Sequence, residues 1–366
     1  MYEQIWQVVS GEITGEGAKA YIQRIWQHAR WNSFDQIQQS AEEIANIMRE
    51  IGLEGVEIIR YPADGVTNYG GWVMPQAWDV EDAWLEIAEP SVPDPLLARY
   101  RDCPHSLMMY SSPTPSEGVV AEVVVVDKAD QEGSYEKLDV KGKLVLMDGV
   151  GIEAGLQALG RGAVGLISDA LGIRGQPCAK PGDYLEGAVQ FHNYTIPPWR
   201  GEEKGFGFSL PPAVGQRLRG LIHNAPAVKL RAVVRTRLYD GTLPLGTGLL
   251  PGRTDEEIVI TAHLCEPGAN DNASGCALGL EVVRALRGLI ARKELEFPER
   301  GIRLVYSFEV RGYQAFLATY GHIHRFVAGI DLDMVGNDLS EARTTCNVVH
   351  NFPSLPAYTD VLALVL

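Results

Sequence analysis

Three apolar stretches between residues 256 and 336 constrain this chain more than anything else in it. EEIVITAHL runs into His263, GIRLVYSFE ends in Glu309, and FVAGIDLDMVG carries Asp331 and Asp333. Helix-patterned segments separate them: ASGCALGLEVVRALRGLI after the first and GYQAFLATYG after the second. Strands alternating with helices imply a mostly parallel sheet with helices on both faces. In such sheets, sites form at the carboxyl ends of strands. A histidine and several acids at three successive strand ends therefore meet at one edge.

The remaining pattern fits an α/β protein with an insertion. AKAYIQRIWQHARW places Ala18, Ile22, Ile25, Trp26 and Ala29 on one helical face. In the next helix Ser33 is the expected N-cap, Ile37, Ala41, Ile44, Ile47 and Met48 form the apolar stripe, and Gly52 ends it. VEIIRYP and AWLEI read as strands. EVVVVDK, GKLVLMDG and GIEAGLQALGRGAVGLISDA then read as strand, strand, helix, strand, which suits a small α/β unit. The expected division is one discontinuous domain, 1–104 and 241–366, with a second domain, 105–240, inserted. No internal repeat is apparent.

Composition narrows the function classes. With 46% hydrophobic and 22% charged residues, the 366-residue chain is ordinary for a soluble globular protein. A net charge of -15 argues against nucleic-acid binding, which expects a basic footprint. The five cysteines include no CxxC pair, so reduced thiols in a cytoplasmic protein are expected. The N-terminus lacks the basic start and apolar core of a signal peptide, and no run is long enough to span a membrane.

The chemistry concentrates in TAHLCEPGANDNASG. His263 follows the strand, and Asp271 and Asn272 sit among small residues ahead of a helix. Imidazole and carboxylate are zinc ligands, and a carboxylate can bridge two ions. Taken singly, His263 reads as a hydrogen-bonded strand-end histidine and Asp271 as an N-cap. Carboxylates at two further strand ends shift the balance, because buried acids need partners and a cation is one.

HLCEPGANDNASG, YSFEVRGYQAF and GIDLDMVG together resemble the co-catalytic zinc aminopeptidase family. The closest likeness is to a bacterial peptidase-like branch of poorly known function. The resemblance implies a three-layer zinc-exopeptidase fold and one or two zinc ions. It makes His263 a terminal metal ligand, Asp271 a bridging ligand, Glu309 the general base and Asp333 a terminal ligand. VVAEVVVVD, KGKLVLMDG and ALGRGAVGLISD resemble a protease-associated domain. Two departures stand out. The family has a second glutamate where this chain has Val310. It also has a late histidine ligand, and the only histidine here beyond Asp333 is His350, in a context unlike that motif. A truncated chain, a single-metal site and a dead site are all left open.

The expected function is zinc-dependent hydrolysis of peptide or aminoacyl substrates, most specifically by an aminopeptidase. A catalytically impaired binding protein and a hydrolase of another amide are the alternatives, and oligomerisation stays open. Other candidates read blandly. Gly160, Gly162 and Gly165 lie between a helix and a strand, the wrong order for dinucleotide binding. His322 and His324 read as a polar loop, Cys265 as a buried structural thiol, and Trp72, Trp78 and Trp84 as packing residues.

Overall fold

The computed structural model describes residues 2–148, 151–171, 186–192, 195–202, 204–320 and 325–342. His322, His324 and His350 lie outside the described residues. The chain opens with helices α1 (Tyr2–Glu12), α2 (Gly15–Ala29) and α3 (Phe34–Ile51), strand β1 (Glu54–Ala63) and the short strands β2 (Asn68–Tyr69) and β3 (Trp72–Val73). There follow β4 (Ala77–Glu89), β5 (Leu96–Arg99), β6 (Val119–Val126), β7 (Leu144–Met147), α4 (Ile152–Gly160), β8 (Gly165–Ser168), β9 (Phe206–Ser209), α5 (Pro212–Asn224) and β10 (Lys229–Tyr239). The last part holds β11 (Gly241–Leu250), β12 (Glu257–His263), α6 (Ala273–Ala291), β13 (Gly301–Ser307), α7 (Arg311–Thr319), β14 (Phe326–Asp331) and α8 (Leu339–Ala342). Among the described residues, no helix is long and apolar enough to cross a membrane.

Two compact units result. One comprises Met1–Pro62, Asn68–Trp72 and Thr242–Leu366, the other Ala63–Thr67 and Val73–Gly241. The second unit thus begins well before the expected boundary at 105. The cause is long-range pairing: β4 runs antiparallel to β10 along its whole length, from Ala77↔Tyr239 to Glu89↔Lys229. Trp72 falls in the first unit and is 42% exposed, while Trp78 falls in the second and is 1% exposed.

In the first unit the sheet order is β1-β11-β13-β12-β14. β12 is parallel to both neighbours, and β11 is antiparallel to β13. The mixture comes from the chain route, because parallel strands need a helical crossover and α6 and α7 supply them. Successive strand residues face opposite sides. A methyl group on Gly279 of α6 would overlap the Tyr306 hydroxyl, and one on Gly312 of α7 would overlap the Ser307 hydroxyl. Helices therefore pack closely on both faces, and the unit has three layers. On α3, the stripe Ile37, Ala41, Ile44, Ile47 and Met48 is fully buried, and Gly52 ends the helix with φ 85°.

Two buried charges in this unit are paired. Glu281 of α6 accepts the Thr14 backbone N–H at 2.9 Å and the Arg284 Nε–H at 2.7 Å, tying the start of α2 to α6. Glu257 and Arg303, on β12 and β13, are 3% and 6% exposed and form a two-pronged ion pair, with Nη2 to Oε1 at 3.0 Å. Removing one member of such a pair strands the other charge in the core.

The second unit is a sheet of order β5-β4-β10-β6-β7-β8-β9. β6 to β9 are parallel, and β10 is antiparallel to both β4 and β6. Every residue of β7, β8 and β9 is buried, as expected of parallel strands covered on both faces. β9, FGFS, follows the Gly- and Pro-containing stretch PPWRGEEKG. Its Gly207 is required by packing, because a side chain there would overlap the Met108 sulfur. Gly160 ends α4 and Gly165 opens β8, the helix-to-strand order read from the sequence.

His192 in this unit is 3% exposed, and its Nδ1 lies 3.0 Å from the Thr195 hydroxyl. Burial pushes its pKa down to about 4 from the ordinary 6.5. Between those values the unfolded chain binds a proton that the folded unit does not, so stability falls as pH drops below about 6.5 and levels off below about 4. The total loss is ~3 kcal/mol. Unfolding midpoints measured at pH 7 and pH 5 should drop less for His192→Gln than for the parent chain.

Candidate metal centre

The register of β12 sets the site. His263, its last residue, pairs with Ser307 of β13, and Thr261 pairs with Asp331 of β14. Glu309 and Asp333 lie two residues beyond those partners, on the turns leaving the same edge of the sheet.

His263 is 3% exposed. Its Nε2 lies 3.4 Å from Asp271 Oδ1 and 3.4 Å from Asp333 Oδ1. Two ligands on one tetrahedral zinc, each ~2.0–2.2 Å from it, are separated by about 3.3–3.6 Å. Asp271 Oδ1 is buried and has no hydrogen-bond donor. One imidazole nitrogen and two carboxylate oxygens also match the donor chemistry of zinc, so the residues fit the ion. Strand-end position alone left Asp331 and Asp333 both eligible, and the resemblance selected Asp333. The Thr261 hydroxyl donates to Asp331, while Asp333 faces His263.

Hydrogen bonds from the segment Asn270 to Ser274 hold Asp333 in place. Asn272, not Asp271, is the N-cap of α6, and its Oδ1 accepts the Gly275 N–H at 3.1 Å and the Met334 N–H at 3.3 Å. Its Nδ2 donates to the Leu332 carbonyl at 2.8 Å. Asn270 Oδ1 accepts the Gly336 N–H at 2.9 Å, and the Ser274 hydroxyl accepts the Val335 N–H at 3.1 Å. Gly275 is needed because a side chain there would overlap the Leu332 carbonyl. With Asn272 capping the helix, Asp271 is left to face His263. On the other side of the loop, the Trp26 indole of α2 donates to the Pro267 carbonyl at 2.9 Å.

A second set of donors adjoins the first. One ligand atom each from Cys265, Glu266 and Glu309 lies within 4.8 Å of the other two, as is true of His263, Asp271 and Asp333. Cys265 is buried as expected, but it belongs to the site. Its sulfur accepts the Glu309 N–H at 3.3 Å and lies 3.7 Å from His263 Nδ1. Glu266 has no role in the sequence reading; the only signal for it was an acid beside His263 in the same loop. Val310 adopts φ 55° and ψ -60°, a strained conformation for a β-branched residue. It turns the chain between Glu309 and α7.

The electrostatics are those of crowded acids. Burial raises Glu266 to about 8, reinforced by the charge on Asp271. Asp271 is also raised, first by burial and then, against the opposing pull of His263, by the charge on Asp333. Burial draws His263 down, but the charge on Cys265 and the hydrogen bond to Asp333 outweigh it and push the imidazole up to about 12. A divalent cation relieves this crowding by taking the place of protons.

The sequence matches, over residues 19–347, a family described as a domain of unknown function (DUF4910). No curated protein matches it. Among solved structures, a peptidase M28 precursor from Shewanella amazonensis SB2B is similar at TM-score 0.62 and 16% identity, covering 87% of this chain and 70% of that one. BSAP, a zinc aminopeptidase from Bacillus subtilis, is similar at TM-score 0.57 and 19% identity, covering 87% and 69%. An aminopeptidase from Aneurinibacillus sp. strain AM-1 is similar at TM-score 0.53 and 18% identity, covering 90% and 72%. The likeness is one of fold: the chain has a mixed α/β, peptidase M28-like architecture.

Asn272→Ala removes a helix cap and two further bonds to the Asp333 turn. It should destabilise the chain by about 2 kcal/mol or more in urea unfolding. The folded variant should also bind zinc at least tenfold more weakly in calorimetric titration, since Asp333 is no longer held against His263.

Proposed function

The chain belongs to the DUF4910 family, and we propose that it is a zinc-dependent exopeptidase, most specifically an aminopeptidase. The observation that carries this reading is the placement of Asp271 and Asp333 oxygens each 3.4 Å from His263 Nε2. The fold it shares with peptidases adds support. His263, Asp271 and Asp333 would hold the ion. A bound zinc would supply Lewis acidity, lowering the pKa of water and polarising the scissile carbonyl.

The chain's own residues do the rest. Glu309 is the general base: its carboxylate takes the proton from the attacking water and passes it to the departing amine. Its backbone N–H is anchored on the Cys265 sulfur, which fixes the start of the turn. Asp271 and Asp333 face one imidazole, and Glu266 and Glu309 lie in the adjoining donor set. Negative charge in excess of a single divalent ion suits a substrate with a free, cationic amino terminus. The second unit is read as protease-associated-like, contributing no chemistry of its own.

Val310 favours a second reading, an impaired peptidase that binds peptides without cleaving them, because a valine offers the metal nothing where the resemblance puts a second glutamate. Activity on a panel of aminoacyl amides separates the two. Glu309→Gln should retain zinc and lose about 10²–10⁴-fold in kcat, while His263→Ala should lose zinc and turnover together. Wild-type turnover in Glu309→Gln would refute the base assignment. A zinc-loaded parent chain that cleaves no member of the panel would favour the binding protein.

A further inference from the structure

The short turn between α2 and α3 carries a cation with no acid against it. Arg30 caps the end of α2, and its guanidinium lies over two indoles, 5.4 Å from the ring centre of Trp26 and 4.8 Å from that of Trp31. Such contacts favour the cation and fix its plane. The chain has 47 acidic and 32 basic residues, yet no carboxylate among the described residues pairs with Arg30. The Arg30 Nε–H is buried and has no acceptor. A charged N–H shut away from water without an acceptor is costly, and a bound anion supplies one.

Asn32, two residues on, is 7% exposed, and its Oδ1 is buried with no donor. Its φ of 51° is a left-handed conformation that asparagine tolerates, and its N–H bonds the Ala29 carbonyl at 2.9 Å, so the turn is fixed. One tight turn thus holds a buried donor and a buried acceptor, both unanswered. A simple anion answers only the first. The last residue of a peptide answers both, with its carboxylate for Arg30 and its backbone N–H for Asn32. The turn is also close to the metal centre. The Trp26 indole beneath Arg30 donates to the carbonyl of Pro267, which follows Glu266 in the loop that runs to Asp271. The guanidinium therefore stands on the order of 10 Å from that loop, the reach of an extended peptide of about three residues.

We propose that Arg30 and Asn32 anchor the C-terminal residue of a short peptide, so that the centre acts on free peptides of about two to four residues rather than on the ends of long chains. The inference rests on the exopeptidase reading above and supplies the other end of its substrate. Acids at the centre receive the cationic amino end, and Arg30 receives the anionic carboxyl end. The planar guanidinium matches a carboxylate with two parallel hydrogen bonds, which a longer chain passing through the same place does not offer.

Steady-state kinetics on the zinc-loaded chain test this with Leu-Gly-Gly and the same tripeptide as its carboxamide. In the parent, kcat/KM should be at least about tenfold higher for the free acid. Arg30→Gln should bring that ratio close to one, and Arg30→Lys, which keeps a point charge, should restore part of it. A merely structural role for Arg30 would lower both substrates together and leave the ratio unchanged. Calorimetric titration with N-acetyl-Gly-Gly, whose amino end is blocked, reads binding without turnover. The acid should bind the parent at least about tenfold more tightly than its carboxamide, and Arg30→Gln should lose the difference. Asn32→Gly, which suits the left-handed backbone, should weaken acid and carboxamide alike, since both keep the N–H. Equal binding of the two by the parent, or an acid-to-carboxamide ratio unchanged in Arg30→Gln, would overturn the proposal. Acid-selective binding that depends on Arg30, in a zinc-loaded chain that cleaves neither tripeptide nor any aminoacyl amide, would refute the exopeptidase reading and leave the carboxyl-terminal anchor standing.

Discussion

The centre depends on one constraint: β12 lies between two parallel neighbours in a fixed register. Pairing His263 with Ser307 and Thr261 with Asp331 brings three chain segments out of the sheet at the same level. Each residue of slippage would shift a strand by ~3.3 Å and turn its side chains to the opposite face. Either change would separate His263 from Asp333. The register is held from the other end of the same strands, where Glu257 of β12 and Arg303 of β13 join in a buried ion pair. Slippage would expose or strand one of those charges, so a structural pair at one end of the strands guards the geometry at the other. Close helix packing adds to this, because Gly279 and Gly312 let α6 and α7 approach adjacent residues of β13 from opposite sides.

Register alone does not aim the ligands. The run Asn270 to Ser274 divides the work among its residues. Asn270, Asn272 and Ser274 bind the backbone of residues 332–336, and Asp271 points at His263. A single helix N-terminus thus satisfies its own cap, secures the neighbouring turn and presents Asp271 to His263. Small residues are required here because the backbones of α6 and the Asp333 turn nearly touch at Gly275.

Strand-end reasoning made His263, Asp271, Glu309 and Asp333 visible, because periodicity shows where a strand stops and the topology of alternating strands and helices says on which edge. It could not choose between Asp331 and Asp333, since that choice depends on the Thr261 hydroxyl reaching across from β12. Nor could it choose the cap: Asp and Asn are equally good N-caps, and only the positions of Leu332 and Met334 select Asn272. Cys265 and Glu266 gained their place in the site from a tertiary event, the turn at Val310 that brings Glu309 onto the sulfur. The start of the second unit was hidden for a similar reason. AWLEI reads as an isolated short strand until β10, far along the chain, pairs with all of β4.

The centre is also asymmetric in a way the resemblance does not anticipate. At position 310 the family pattern calls for a carboxylate, and a valine stands there. A carboxylate stands at 266 instead, in a different loop and on the same cluster of donors. What a cation responds to is the number and kind of donors within reach, not the strand that supplies them. An acid at 266 rather than at 310 keeps a carboxyl group within the donor cluster, and burial there raises it to about 8, so that it holds its proton at neutral pH. The result is a nitrogen-and-oxygen set beside a sulfur-and-oxygen set, with Asp271 interacting with His263 in the first and Glu266 in the second, and the two sets differ in softness and in proton demand.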